Sequence, residues 1–499
     1  MSSHDFSRRS LLSLGAAGAA SLALPRWASA RGSAKKARNI IFCVSDGMSM
    51  GVPTMVDHLS QIRDGKPSYW AWLMNQPFAV NGLQDTRSLN SLVTDSSAAS
   101  SSWGSGRHIW NGMVNMYPDG TKLRTLTQIM TDVKVRCGLV TTATITHATP
   151  AGFCVNAPSR DDEEFIAAEY LKSGVDVLMG GGDKFFSPTA RKDKRDLYGD
   201  FEKAGYEVVK NRKQLLGLQS NRVLGIFSSS HVPYTVDRNN DAALQESTPT
   251  LAEMAKVAID NLKDSKSGFL LQIEGARIDH AAHSNDLAAM LYDQMAFEEA
   301  VKVAIDFALA DGETLVVITS DHGNGNPGLN GYGDEYIDST AGLKSVLDMK
   351  GSYGTLLKEL GLRADAAKAQ EVVKNRLGIE LSAADAEVVS GVTSGKTPFG
   401  SSIFYKNASA TLAVILGNST KVTWTSTNHT SDRVLLTAVG PGAEQFAGLT
   451  QNISIFDTLL AHKDLKVNNP TMSFAEAQPL YEKMRKGGEE AEAHMDAFV

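Results

Sequence analysis

Five short apolar runs constrain this chain more than any other feature. Residues 39–44 (Asn-Ile-Ile-Phe-Cys-Val) lead into Ser45-Asp46-Gly47, residues 269–273 into Glu274, and residues 314–319 into Ser320-Asp321-His322. Residues 138–144 form a fourth run, and residues 434–439, which follow His429, a fifth. Continuous apolar runs with β-branched content are what a strand covered on both faces needs. Helical patterns lie between them, at residues 163–172, 250–262, 287–310 and 454–460. Strands alternating with helices predict an α/β fold with a largely parallel central sheet flanked by helices. Open α/β sheets bind ligands beyond the carboxyl ends of their strands. Asp46, Glu274, Asp321 and His322 are therefore expected along one edge, although hundreds of residues separate them.

At 499 residues the length allows up to three domains, but one α/β domain with insertions fits equally well. Residues 323–428 separate His322 from His429. They begin Gly-, Asn- and Tyr-rich, become Ala-rich and helical at about 346–389, and end in strand-like pieces between 399 and 414. This stretch reads as a cap inserted at about 324–425. The tail after Met472 reads as a polar helix.

The N-terminus is a separate matter. Ser7-Arg8-Arg9-Ser10-Leu11-Leu12 leads into an Ala/Leu/Gly run, and Ala28-Ser29-Ala30 offers a small-residue cleavage site. This layout predicts a signal peptide over residues 1–30 that resembles a twin-arginine export signal, with the twin-arginine machinery as a partner and a periplasmic or secreted protein as the product. Residues 31–499 would then form the working protein. The whole chain has 49 basic and 56 acidic residues, a net −7. Loss of Arg8, Arg9, Arg26 and Asp5 leaves 46 and 55, a net −9. That balance argues against a general nucleic-acid partner, yet a local pocket can still draw a small anion. No later run is long enough for a transmembrane segment. The three cysteines, Cys43, Cys137 and Cys154, sit in apolar surroundings, and a Cys137–Cys154 bridge is left open.

Several segments carry candidate chemistry. In Glu274-Gly-Ala-Arg-Ile-Asp279-His280-Ala-Ala-His283, Asp279 and His283 are four apart, so one helical face can present both to one cation. A carboxylate–imidazole set suits Zn²⁺, and Glu274 stays free for a different ion. Asp321-His322, His429 and Asp46 add further donors. Taken together they can hold two or three cations. In residues 93–100 (Val-Thr-Asp-Ser-Ser-Ala-Ala-Ser), Ser96 would start a helix, where amides and the dipole favour an anion. Nearby hydroxyls leave the choice of nucleophile open on sequence chemistry alone. Thr146-His147-Ala148-Thr149-Pro150 precedes Ser159-Arg160, and Arg160 suits bidentate binding of phosphate or sulfate.

In order and in internal spacing, Asp46-Gly47-Met48, Thr94-Asp95-Ser96, His147-Ala148-Thr149-Pro150, Ser159-Arg160, the segment from Glu274 to His283, Asp321-His322-Gly323 and His429-Thr430 resemble the alkaline phosphatase family. These are metal-dependent phosphomonoesterases. The resemblance implies two zinc ions, one on Asp279, His283 and His429, the other on Asp46, Asp321 and His322. It implies one magnesium on Asp46, Thr149 and Glu274. It makes Ser96 the nucleophile, through a phosphoseryl intermediate, and Arg160 the phosphate-binding residue. The substrates would be small phosphate monoesters. His147 and His280 stand where the enteric bacterial enzymes carry aspartate and lysine, as they do in other branches, and they are expected beside the third site and the phosphate. A homodimer is favoured by the resemblance, although the insertion can block or build such an interface. A related phosphodiesterase or sulfatase is the competing reading, and a catalytically dead metal- or phosphate-binding protein a more distant one.

Overall fold

The computed structural model describes residues 36–486 apart from 397, 400, 401 and 406. The export segment expected at 1–30 lies outside the described residues. Fourteen strands are formed among the described residues: β1 (Asn39–Ser45), β2 (Ala79–Gln84), β3 (Arg136–Thr144), β4 (Val177–Gly181), β5 (Glu207–Val209), β6 (Val223–Ile226), β7 (Phe269–Gly275), β8 (Thr314–Thr319), β9 (Gly323–Asn324), β10 (Gly328–Leu329), β11 (Val422–Thr423), β12 (His429–Thr430), β13 (Val434–Val439) and β14 (Gly448–Thr450). Ten of them make one sheet in the order β14-β2-β13-β8-β1-β7-β3-β4-β6-β5. Every pairing is parallel except those of β13, which runs against both β8 and β2. The fold is α/β with a mostly parallel central sheet flanked by helices.

The central strands read as apolar runs because both of their faces are covered. Ile41 and Cys43 of β1 point into one buried cluster, while Ile40, Phe42 and Val44 point into the other. Helices Leu251–Leu262 and Leu287–Asp311 cover the first face. Helices Ser96–Ser105, Ala148–Cys154, Glu163–Ser173 and Ser454–Ala461 cover the second. The Phe42 ring packs at 5.0 Å from Trp103 and 5.4 Å from Phe153. All three cysteines are buried and free, which settles the open Cys137–Cys154 bridge against pairing.

Helices Ser96–Ser105 and Ala148–Cys154 touch backbone to backbone. A Cβ at Gly104 would stand 1.9 Å from the Gly152 carbonyl oxygen, and Ser100 Oγ donates to the Thr149 carbonyl at 2.6 Å. A Gly104→Val substitution should therefore cost about 2–3 kcal/mol by forcing the two helices apart. Thermal denaturation tests this, and an unchanged Tm contradicts it.

Between β10 and β11 run helices Asp338–Lys344, Tyr353–Leu360, Ala366–Leu377, Ala383–Thr393 and Ala408–Thr420. Their apolar side chains, Leu343, Tyr353, Leu356 and Leu416 among them, join the buried cluster of helix Leu287–Asp311. The strand-like reading of residues 399–414 is corrected here, because residues from Ala408 on are helical. Asn407 caps this helix through Ala410 N, and Lys421 closes it in the left-handed region. With Leu412, Ala413 and Leu416 buried, packing overrides the β preference of the Thr, Val and Ile residues. The polar tail is helical as expected, over Phe474–Lys486.

Candidate metal centre and phosphate site

Parallel strands bring three acidic or imidazole-bearing segments to one edge. Asp46 follows β1, Glu274 is the penultimate residue of β7, and Asp321-His322 follows β8. His429 arrives by a different route. It precedes β13, and β13 is reversed, so the start of that strand lies at the carboxyl edge of its neighbours. A two-residue ribbon pairs His429 with Asn324 and Thr430 with Gly323. This ribbon draws the two ends of the 324–428 segment together beside His322. Gly47 is required at its position: its φ is +69°, and a Cβ there would stand 2.4 Å from Asp279 Oδ1.

Asp279 and His283 share one face of the short helix Arg277–His283, as their spacing predicts. His283 Nε2 lies 3.3 Å from Asp279 Oδ2 and 3.0 Å from His429 Nε2, and His429 Nε2 lies 3.6 Å from Asp279 Oδ1. Both rings spend Nδ1 on a carbonyl, His283 donating to Thr427 at 2.7 Å and His429 to Thr94 at 2.8 Å. A carbonyl can only accept, so each neutral ring presents an Nε2 lone pair. Burial and the neighbouring His322 push His429 down to about 3, which keeps it neutral. Two lone pairs and a carboxylate thus face one another with no proton between them. That arrangement fits a cation of borderline softness.

The second nest is fully buried. His322 Nε2 is 3.1 Å from Asp321 Oδ2, 3.7 Å from Asp46 Oδ1 and 3.2 Å from Ser96 Oγ. Asp321 Oδ1 accepts from the backbone of Gly47 at 3.0 Å and of His322 at 2.9 Å. In the third nest, imidazole and carboxylate atoms of Asp46, His147 and Glu274 lie within 4.8 Å of one another. Thr149 Oγ1 stands 3.4 Å from Asp46 Oδ2. Asp46 Oδ1 and both Glu274 oxygens are buried without a hydrogen-bond donor of normal geometry. Burial pushes Glu274 up to about 7, and burial with Asp321, Asp279 and Glu274 raises Asp46 well above the carboxylate range. Carboxylates packed this closely without cations are costly, and bound cations remove that cost. His147 lies in the third nest together with Asp46 and Glu274.

Ser96 opens the helix Ser96–Ser105, whose N-cap is Asp95. Asp95 accepts from Ala98 N at 2.9 Å, Ser97 Oγ at 2.7 Å, Gly112 N at 2.8 Å and Arg160 Nη1 at 3.3 Å. Arg160 Nη2 also meets His147 Nε2 at 3.1 Å. The arginine is thus fixed one residue from the candidate nucleophile. Neither Asn324 nor His231 is marked by any motif in the chain. Asn324 Nδ2 donates to Asp279 Oδ1 at 2.7 Å. Its only signal was its place two residues after His322 in a Gly-Asn-rich run.

Three electron-rich nests at the carboxyl edge, beside a serine at a helix N-terminus and an anchored arginine, define a metal-assisted α/β hydrolase. Residues 37–465 match the alkaline phosphatase family, and the chain belongs to it. Its activity is the metal-assisted hydrolysis of phosphate monoesters of that family. It is similar to alkaline phosphatase 3 of Bacillus subtilis, 31% identical over 437 residues that cover 85% of this chain and 88% of the relative. The repressible alkaline phosphatase of Saccharomyces cerevisiae is 34% identical over 387 residues, covering 71% and 64% of the two chains. The crystal structure of Thermus thermophilus alkaline phosphatase superposes with a TM-score of 0.85 at 34% identity, covering 90% of this chain and 96% of the other. No helix among the described residues is long and apolar enough to cross a membrane.

Proposed function

We propose that the site holds two zinc ions and one magnesium and hydrolyses phosphate monoesters through a phosphoseryl intermediate on Ser96. Asp279, His283 and His429 would hold one zinc, and Asp46, Asp321 and His322 the other. Asp46, Thr149 and Glu274 would hold magnesium, with His147 beside them. When bound, these cations supply Lewis acidity, acidifying the serine hydroxyl and a water and screening the charge that develops on the reacting oxygens. The observation that carries this reading is Ser96 Oγ, 3.2 Å from His322 Nε2 at a helix N-terminus, on the same turn that anchors Arg160 through Asp95.

The chain's own residues then have defined tasks. Arg160 holds two nonbridging oxygens of the phosphoryl group, oriented by Asp95 and His147. Ser96 Oγ attacks phosphorus in line. The Oγ–P bond forms as the bond to the ester oxygen breaks, the serine gives up its proton, and the departing alcohol takes one up. Water then attacks the phosphoserine, the Oγ–P bond breaks, inorganic phosphate leaves, and Oγ regains a proton.

A dianionic phosphoryl group matches Arg160 and three cations, whereas a diester or sulfate carries less charge to match. With the same metals present throughout, kcat/KM for an aryl monoester should exceed those for the aryl diester and aryl sulfate by at least about a hundredfold. A diester or sulfate preference overturns the assignment.

A further inference from the structure

His231 belongs to none of the segments that carry the family's chemistry, yet the fold builds a place for it beside His280 and His147. Its loop follows β6 and lies over Gly181, where a Cβ would stand 2.0 Å from the Ser230 carbonyl oxygen. Val232 N donates to Thr142 O at 2.9 Å, and Thr144 N donates to His231 Nδ1 at 3.2 Å. The loop is thus clipped to the end of β3 on both sides of the imidazole.

The His231 ring centroid is 4.3 Å from that of His280 and 6.0 Å, edge on, from that of His147. His280 and His147 meet edge to face at 5.3 Å. Each ring faces a group that can only donate: His231 Nδ1 the Thr144 amide, His280 Nδ1 the Arg277 guanidinium at 2.5 Å, and His147 Nε2 the Arg160 guanidinium at 3.1 Å. Each of those nitrogens therefore presents a lone pair, and the proton of each ring sits on the other nitrogen. The three rings form a neutral block between two guanidinium groups, and Arg277 is backed in turn by the Tyr234 ring at 3.8 Å. Burial acts in the same direction, pushing His231 and His280 well below the usual imidazole range.

We propose that His231 is a positioning residue for phosphate: it braces the His147–His280 pair, and through His147 it fixes the guanidinium of Arg160. The proposal rests on Arg160 being the phosphate-binding residue. It makes affinity for the phosphoryl group depend on a ring that touches neither substrate nor the candidate ligands Asp279 and His283.

The test compares the zinc- and magnesium-loaded full-length protein with three variants, measuring the inhibition constant for inorganic phosphate, kcat and KM for an aryl phosphate, metal content and Tm. His231→Leu removes both the ring and the acceptor for Thr144. His231→Asn keeps an acceptor in the place of Nδ1, so it preserves the loop clip and removes only the bracing ring. Both should raise the phosphate inhibition constant and KM together by about tenfold, through a misplaced Arg160, with kcat changed less than about twofold and metal content unchanged. Phosphate inhibition at the parent value in His231→Asn overturns the proposal, since a residue that only clipped the loop would be rescued by asparagine. That variant decides the matter even where His231→Leu fails to fold. Arg160→Ala separates the two levels of the reading. If it leaves phosphate inhibition unchanged, the role of Arg160 is wrong; if it weakens inhibition while both His231 variants do not, only the role of His231 is wrong.

Discussion

Ser96→Ala is expected to lower kcat/KM for an aryl phosphate by about 10⁴-fold or more, while zinc content and Tm stay at parent values. The size follows from what alanine removes. Oγ is the atom that must bond to phosphorus, and no other hydroxyl stands 3.2 Å from His322 Nε2 among the described contacts. The fold should not notice the change. The helix start is secured by the Asp95 side chain through Ala98 N and Gly112 N, and neither bond involves Ser96. The candidate ligands keep their own supports, Asp321 through two backbone amides and Asp279 through Asn324. Some hydrolysis should remain, because cations and Arg160 can still present phosphate to water. Acid quenching during turnover should trap phosphate on the parent protein and none on the variant. Unchanged turnover in Ser96→Ala refutes the serine's role, and lost turnover together with lost zinc points to a structural role instead.

Much of this site is legible in the chain, and the physical reason is specific. β1, β7 and β8 lie at the middle of the sheet, and strands covered on both faces become apolar runs whose ends are easy to locate. A polar group directly after such a run is marked by the contrast, which is why Asp46, Glu274, Asp321 and His322 stand out. Strands near the two edges leave weaker traces. β5 has three residues and β14 three, and β4 ends in two glycines, so neither length nor pattern separates them from loops. The reversal of β13 is also hidden, because the direction of a strand leaves no mark on its composition. His429 nevertheless reads as a strand-end donor, since a residue before a reversed strand and one after a forward strand reach the same edge. His231 and Asn324 escape detection for another reason. Each meets partners far away in sequence, so no spacing rule applies to it. The helix at Ala408–Thr420 is missed because Thr411, Val414 and Ile415 favour strands locally, while the decisive apolar contacts come from residues distant in sequence.

Asp46→Asn should produce the second large effect and reveal how far the cations stabilise the fold. Asp46 is wholly buried, and it is shared by the nest containing Asp321 and His322 and the nest containing His147 and Glu274. Asparagine keeps its shape but removes the charge from both nests at once, so kcat/KM should fall about a thousandfold or more, with a measurable loss of bound metal. Stability should respond in opposite directions in the presence and absence of metal. In chelator, Asp46 is buried beside Asp321, Asp279 and Glu274, which raise it well above the carboxylate range. A carboxyl raised on folding holds a proton that the unfolded chain has already released, so it costs stability as pH climbs from its unfolded value toward its folded one. Asparagine has no such cost. The chelated variant should therefore be more stable than the chelated parent above about pH 4, the unfolded carboxyl value, and its advantage should grow with pH. With zinc and magnesium present the order should reverse, because ions that bind only the folded state stabilise it in proportion to their affinity, and the variant binds them less tightly. Tm measured across pH with and without chelator separates these cases. If metal raises the Tm of the variant as much as that of the parent, the two nests do not share Asp46 as a ligand; if the chelated variant is less stable than the parent at every pH, the carboxylate is held by contacts within the protein and not by cations.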